Sequence, residues 1–381
     1  MKRIGSILLW SAIAAAFIGP GTVTAAASAG ANTGAALLWA ILFSGIATFT
    51  LQEFAGRLAV ATGDDLATVL RRRYPTGFAH VATLLLVGGA ILLGCAAYEA
   101  GNILGGAAGA MLAFDGPRAG VTLGLTAAAA LLLLAGSPHS VARLMAVFVA
   151  LMGGGFLLVA LSLAPPATVL LAGLVPAPGF ADDPAALLAV LALVGTTFSF
   201  AALGDVLDER VSGWARTGAG IGLLAAGISS AVTAPLAAAL TARGLFGKAD
   251  DPRWQARGWR FRAVWGAVLL VGLGFGLAEI RPAPAILAAQ AFNGILLPLV
   301  ALFLLAAMND AGLLGERVNG PLANGFGLLV VGVAAMLGLT ALARATATLF
   351  GFDLPDPGLM LPAFALLGVF TGRAVMRRAV L

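Results

Sequence analysis

Gly19-Pro20-Gly21-Thr22 interrupts the first apolar stretch of this chain, residues 7–29. Proline has no backbone donor and its ring collides with the preceding helical turn, while glycine is a poor helix former. If the stretch is a membrane helix, the interruption frees backbone amides and carbonyls at the depth of the hydrocarbon, where lipid offers them no partner. Such groups must face protein, water or a bound solute. A Gly/Pro-broken helix of this kind is the sequence mark of a binding site in secondary transporters.

The rest of the chain decides that it is a membrane helix. Of 381 residues, 60% are hydrophobic and 10% charged, and the mean hydropathy is +1.01. A soluble domain carries about 25% charged residues, so an ordinary cytosolic globule is excluded. Segments near the roughly 20 residues that cross the hydrocarbon fall at 7–29, 35–61, 78–112, 120–136, 141–163, 185–204, 217–242, 260–278, 283–308, 322–343 and 357–376. The fold class is therefore an all-α multi-pass membrane protein with ten or eleven transmembrane helices, a single membrane transport domain over 1–381. Met1-Lys2-Arg3, the apolar run and Ala25-Ala26-Ala27-Ser28-Ala29 imitate a cleaved signal peptide, but Gly-Pro-Gly breaks the apolar region and spans continue after it.

A net charge of +5 and a pI near 10.3 raise the question of nucleic acid. The basic residues lie in short loops beside the spans, so they are topology signals, and no nucleic-acid partner is expected; the partner is the bilayer. Lys2 and Arg3, then Arg71, Arg72 and Arg73, then Arg143, alternate with loops around Asp115 and Asp182-Asp183. By that bias the N-terminus is cytoplasmic and the protein sits in the cell's inner, plasma membrane. The count then breaks. No Lys or Arg occurs between Leu144 and Glu209, which makes the 164–184 loop external, yet six basic residues from Arg243 to Arg262 make the 243–262 loop cytoplasmic. Two full spans, 185–204 and 217–242, cannot join an external loop to a cytoplasmic one. One segment between 185 and 242 is not a simple span, or a helix is missing.

Several blocks resemble the Nramp family of divalent-metal transporters. Leu51-Gln52-Glu53-Phe54-Ala55-Gly56-Arg57 through Gly63, with Asp65-Leu66 and Arg73-Tyr74-Pro75, is similar to the family's second helix and the loop after it. Tyr98-Glu99-Ala100-Gly101-Asn102 resembles the third helix and Gly195-Thr196-Thr197 the sixth. Gly222 to Pro235, Ala289-Gln290-Ala291-Phe292-Asn293-Gly294 and Asn309 to Asn324 extend the likeness over nearly the whole chain. The resemblance implies a LeuT-like fold of two inverted five-helix repeats, 1–164 and a shortened 185–343, with the first helix of each broken around a central site and 357–376 as an additional C-terminal helix.

The departures bear on chemistry. Counting back from Leu37-Leu38-Trp39, Gly19-Pro20-Gly21-Thr22 takes the place of the family's Asp-Pro-Gly-Asn, so Gly19 stands for a liganding aspartate and Thr22 for an asparagine. Ser199-Phe200-Ala201 replaces Met-Pro-His, which removes the soft thioether that favours transition metals. After Gly195-Thr196-Thr197 the sequence reaches eighth-helix features within about two dozen residues, leaving no counterpart of the seventh helix where the charge count also found one missing.

What remains for a site is oxygen. The broken helix offers carbonyls and the Thr22 hydroxyl, with Thr196, Thr197 and Ser199 opposite if the repeats pair as the resemblance implies. The pocket expected from this reading takes in Gly19 to Thr22, non-helical and facing Thr196 to Ser199, with metal contact from Gly19, Thr22 and Gln290. Gln290 and Asn293 share a helix face at i and i+3; the family's glutamine approaches the metal there, and interhelical hydrogen bonding is the competing use. Oxygen ligation suits hard cations such as Mg²⁺ better than Mn²⁺ or Fe²⁺ held by sulfur. Glu99 is the only acidic residue well inside a span, with Asn102 one turn on along the same face. Intramembrane carboxylates are functional by default, and the resemblance places Glu99 with Asn102 on a proton path, although the family's aspartate one turn earlier is Ala96 here.

Other chemistry is thin. Cys95 lies in an apolar run and packs as a small hydrophobe. His80 and His139 have no neighbour at metal-ligand spacing. Gly153-Gly154-Gly155 precedes no Gly-Lys-Ser/Thr, so no nucleotide is bound. The chain is not expected to be an enzyme and calls for no cofactor. It reads as an ion-coupled secondary transporter, a symporter of a divalent metal ion with protons as the possible coupling ion. The alternatives are a carrier of a small polar or organic solute and a non-transporting relative that has lost the metal site.

Overall fold

The computed structural model describes residues 19–21, 26, 29–30, 33–114, 116–135, 144, 146–148, 150–151, 153–154, 157, 161, 166–176, 190, 213–247, 251–278, 280, 296–350 and 357–379. The helix α1, Leu38–Thr62, ends where Gly63 turns left-handed (φ 71°) and its N–H returns to the Ala59 carbonyl, a termination that a Cβ would disfavour. Asp65 then accepts the Thr68 N–H at 2.9 Å and caps α2, Leu66–Arg73. Three arginines in the last turn of α2 suit its carbonyl end. The helix α3, Gly77–Thr83, runs through a π-helical turn, Leu84–Gly88, into α4, Gly89–Ala113. α5 follows at Arg118–Ala135, a short α6 at Ala167–Gly173, and the 34-residue α7 at Gly213–Phe246.

α8 spans Trp259–Leu277, and α9, Leu296–Ala307, bends by 65° into α10, Ala311–Leu314, which ends in a 3₁₀ turn at Gly315–Arg317. α11, Pro321–Phe350, and α12, Pro357–Ala379, complete the chain. Six of these helices are long and apolar enough to cross a membrane, and the bent pair makes up to a seventh. They fall on the spans read from the sequence at 35–61, 78–112, 217–242, 260–278, 322–343 and 357–376. One difference is α6, which lies in the stretch read as an external loop. Its Ala-Thr-Val-Leu-Leu-Ala-Gly sequence is apolar, and Gly173 lets it press against the Ala35 carbonyl, where a Cβ would collide.

Many large apolar side chains face outward, as they do where lipid surrounds a bundle, and glycines line the closest helix contacts. Phe49, Phe78, Leu270 and Phe370 are exposed, while α4 is buried along nearly the whole length from Glu99 to Ala110. α4 can be central because glycines let its neighbours approach. Gly106 faces Gly227 and Gly109 faces Gly220 on α7, and Gly272 and Gly276 of α8 rest on Glu99, Ile103 and Thr122.

The loops fall at two ends. At one, the Arg71 guanidinium donates to the Gly247 carbonyl after α7, Asp65 lies beside Gly244, Arg57 donates to the Arg317 carbonyl at 3.2 Å, and Arg73 pairs with Asp310 at 3.4 Å. At the other, Arg118 donates to the Ile280 carbonyl at 2.8 Å. The loops after α1, α7 and α9 therefore share one face. This is the face to which the charge count assigned both Arg71 to Arg73 and the 243–262 loop. α7 is one continuous helix and so is not the irregular crossing; residues 191–212 lie outside the described residues.

The bend between α9 and α10 is held by asparagines. Asn309 and Asn324 exchange amide hydrogen bonds at 2.8 Å, Asn319 donates to Asn324 at 3.0 Å, and the Asn319 N–H meets the Met308 carbonyl at 2.9 Å. Asp310 has two tasks, capping α10 through the Gly312 N–H at 2.9 Å and pairing with Arg73. Because the Arg73 side chain is 55% exposed, Asp310→Asn, which keeps the cap acceptor, should change stability by less than about 1 kcal/mol. Asp310→Ala loses the cap as well and should cost about 1 kcal/mol more. Melting the two variants side by side separates the tasks.

Candidate functional site

The site grows from the meeting of α4, α7 and the first broken segment. Gly19 is outside helical hydrogen bonding, and helix begins at Pro20 and Gly21, both buried. The expectation that Gly19 to Thr22 is non-helical is corrected here for Pro20 and Gly21, which are helical, while Gly19 is not. Proline is favoured at the first helical position, where its missing N–H would have had no partner, so it starts this helix rather than interrupting it. Thr22 lies outside the described residues, as do Thr196, Thr197, Ser199, Gln290 and Asn293.

A Cβ built on Gly19 would come 2.8 Å from Ser230 Oγ and 3.3 Å from Asn102 Oδ1. The break thus lies directly against two polar side chains from helices far apart in sequence. Asn102 is 5% exposed and Ser230 4%. Asn102 Nδ2 donates to Glu99 Oε2 at 3.4 Å, a long contact from one turn along α4. Glu99 is fully buried, its Oε1 has no partner among the described residues, and Gly272 of α8 closes over it: a Cβ there would stand 2.8 Å from Glu99 Cγ. Glu99, Asn102, Ser230 and Gly19 form one polar tract inside the bundle.

The i,i+3 spacing of Glu99 and Asn102 places them together as the sequence indicated. Ser230 was not singled out from the sequence, where it is one hydroxyl among Ser229, Ser230 and Thr233 on an apolar helix. The signal that finds it is three-dimensional: its hydroxyl is buried without a partner among the described residues, whereas Ser229 Oγ folds back to the Ala226 carbonyl at 2.9 Å and Thr233 Oγ1 donates to the Ser230 carbonyl at 3.2 Å. His80 Nδ1 lies 2.8 Å from the Tyr74 carbonyl, at the loop end of α3 and away from this tract. No group of three or more His, Cys, Asp or Glu side chains able to hold a metal occurs among the described residues. The polar side chains of the tract are a carboxyl, an amide and a hydroxyl.

The model of the family described as natural resistance-associated macrophage protein-like, Nramp, matches residues 11–203 and 199–344. The chain belongs to the Nramp family. The two matched pieces overlap at 199–203. The divalent metal cation transporter MntH of Xanthomonas campestris is 30% identical over 190 residues, 49% of this chain and 41% of that protein. The MntH of Bacillus subtilis is 42% identical over 62 residues, 16% of this chain and 15% of that one. The chain spans less than half the length of these curated relatives. A crystal structure of a variant of the Eremococcus coleocola manganese transporter superposes with a TM-score of 0.71 at 18% identity, covering 99% of this chain and 96% of that one. That likeness shows the Nramp fold, all-α, multi-pass and LeuT-like, as the sequence resemblance implied.

Proposed function

We propose that this Nramp protein is a secondary transporter that moves a divalent cation across the membrane by alternating access, through a neutral, oxygen-lined site at the Gly19 break, with Glu99 carrying protons. The observation behind the reading is the polar tract itself. A helix break, two buried polar side chains and a fully buried carboxyl converge inside an apolar bundle, and intramembrane polar groups of this kind mark solute and proton paths. Relatives named as divalent metal cation and manganese transporters support the substrate class.

Within that class the donors favour hard cations. Gly19 supplies no carboxylate, and the described residues beside it offer no sulfur, so Mg²⁺, which keeps much of its water and takes oxygen ligands, suits the site better than Mn²⁺ or Cd²⁺. Calorimetry on the purified protein should show weak Mn²⁺ and Cd²⁺ binding, and sub-micromolar Mn²⁺ affinity would overturn this selectivity. The missing carboxylate also favours one second reading, a small polar solute in place of a metal; binding of such a solute without any response to divalent ions would establish it.

The proposed location is the plasma membrane with the N-terminus in the cytoplasm, supported by the basic loops gathered at one end of the bundle. Single cysteines placed at 245–258 should react with an impermeant thiol reagent only from the cytoplasmic side. Labelling from outside would reverse the orientation.

A further inference from the structure

We infer that Ser230, on α7, is a specificity-determining ligand of the transported cation, its hydroxyl taking the coordination position that Gly19 leaves without a side chain. The inference rests on the proposed transport reading and names a ligand on a helix outside the site expected from the sequence. A side chain at position 19 would collide with Ser230 Oγ, 2.8 Å from an ideal Cβ, and press on Asn102 Oδ1 at 3.3 Å, so the glycine is what brings these two oxygens against the backbone at position 19.

The hydroxyl's own hydrogen bonding carries the argument further. Serine and threonine hydroxyls in helices satisfy themselves by folding back on the carbonyl three or four residues earlier. Ser229 and Thr233 do so on this same stretch of α7, and Thr50, Thr62, Thr126 and Thr340 do so elsewhere. Ser230, like Thr122 on α5, does not, although it is 4% exposed and its Oγ has no partner among the described residues. Thr122 is pressed against Gly276 of α8, whereas Ser230 Oγ lies against Gly19, so the partner it lacks has to be met on that side. Asn102 is arranged in the same sense: its amide nitrogen is turned to Glu99 at 3.4 Å, which leaves Oδ1 on the side of Gly19. The two side chains offer neutral oxygens from two helices, a set that fits a hard divalent cation.

The test exchanges the proposed ligand atom from oxygen to sulfur. In a Cys95→Ala background, where the introduced thiol is the only one, Ser230→Cys should raise Cd²⁺ affinity relative to Mg²⁺ by about tenfold or more, because thiolate is a soft ligand. Ser230→Ala should weaken Mg²⁺ binding by about 10- to 100-fold. Ser229→Cys, one position along but bonded within its own helix, should leave the ratio at the background value. Calorimetry in detergent and flux in proteoliposomes are read together, with melting temperature confirming that each variant folds. A background protein that carries Mg²⁺, with an unchanged Cd²⁺ to Mg²⁺ ratio in Ser230→Cys, overturns the role of Ser230 and leaves the transport reading standing. A background protein that neither carries nor binds a divalent ion overturns the transport reading and this role of Ser230 with it, even if Ser230→Cys gains Cd²⁺ binding.

Discussion

Gly109→Leu is expected to leave no folded protein, and Gly109→Ala to melt well below the parent. A Cβ at position 109 would stand 2.5 Å from Leu223 Cβ, 2.8 Å from Leu224 N and 2.9 Å from the Gly220 carbonyl oxygen. Two of those three are backbone atoms, so no rotamer change relieves the contact, and α4 must lift away from α7. Overpacking of this kind costs typically about 1–3 kcal/mol and sometimes more; here it would also part Gly106 from Gly227 and open the crossing on which Asn102 and Ser230 depend. Gly124 on α5 is the control, since it is exposed and a Cβ there meets nothing within 4 Å. Gly124→Ala should hold or raise stability by up to about 1 kcal/mol, as alanine is the better helix former. Melting both in one detergent gives the comparison. Equal melting of Gly109→Ala and the parent would mean that the α4–α7 contact is looser than described.

The second large effect is at Glu99. If the carboxyl carries protons, Glu99→Gln should abolish proton movement while the protein melts nearly as the parent does, since glutamine keeps the size and the contact with Asn102. Glu99→Ala should both abolish proton movement and destabilise, by about 1–3 kcal/mol, because it strips Asn102 of its partner in a buried site. If Glu99 only ties helices together, the glutamine variant would transport normally and the alanine variant alone would suffer. Glu99 has one long hydrogen bond and a free oxygen among the described residues, which is poor construction for a purely structural tie. Proton-driven flux at parental rates in Glu99→Gln would remove it from the mechanism.

Much of this was legible in the chain because membrane insertion writes strong signals. Apolar runs gave the six spans on which described helices fall, and basic loops gave the end at which α1, α7 and α9 meet their partners. Glu99 and Asn102 could be paired because i,i+3 spacing on a helix is fixed by geometry. The exact break was harder to read, since proline both interrupts helices and starts them, and only the local backbone shows that Gly19 is outside and Pro20 inside. Ser230 was not legible at all. Its distinction from Ser229 is a rotation of one residue about α7, and its significance comes from Gly19, which no spacing rule connects to it. The glycines of α4 and α7 raise the same difficulty: Gly106 and Gly124 look alike in sequence, yet one sits at a helix crossing and the other faces outward.

The central claim is tested most directly by flux into proteoliposomes holding the purified chain, with Mg²⁺, Mn²⁺, Ca²⁺ and Cd²⁺ offered one at a time and empty liposomes as the baseline. A neutral oxygen site predicts uptake above baseline with Mg²⁺ ahead of Mn²⁺ and Cd²⁺. Uptake led by Cd²⁺ or Mn²⁺, or no divalent flux above the empty liposomes, would contradict it.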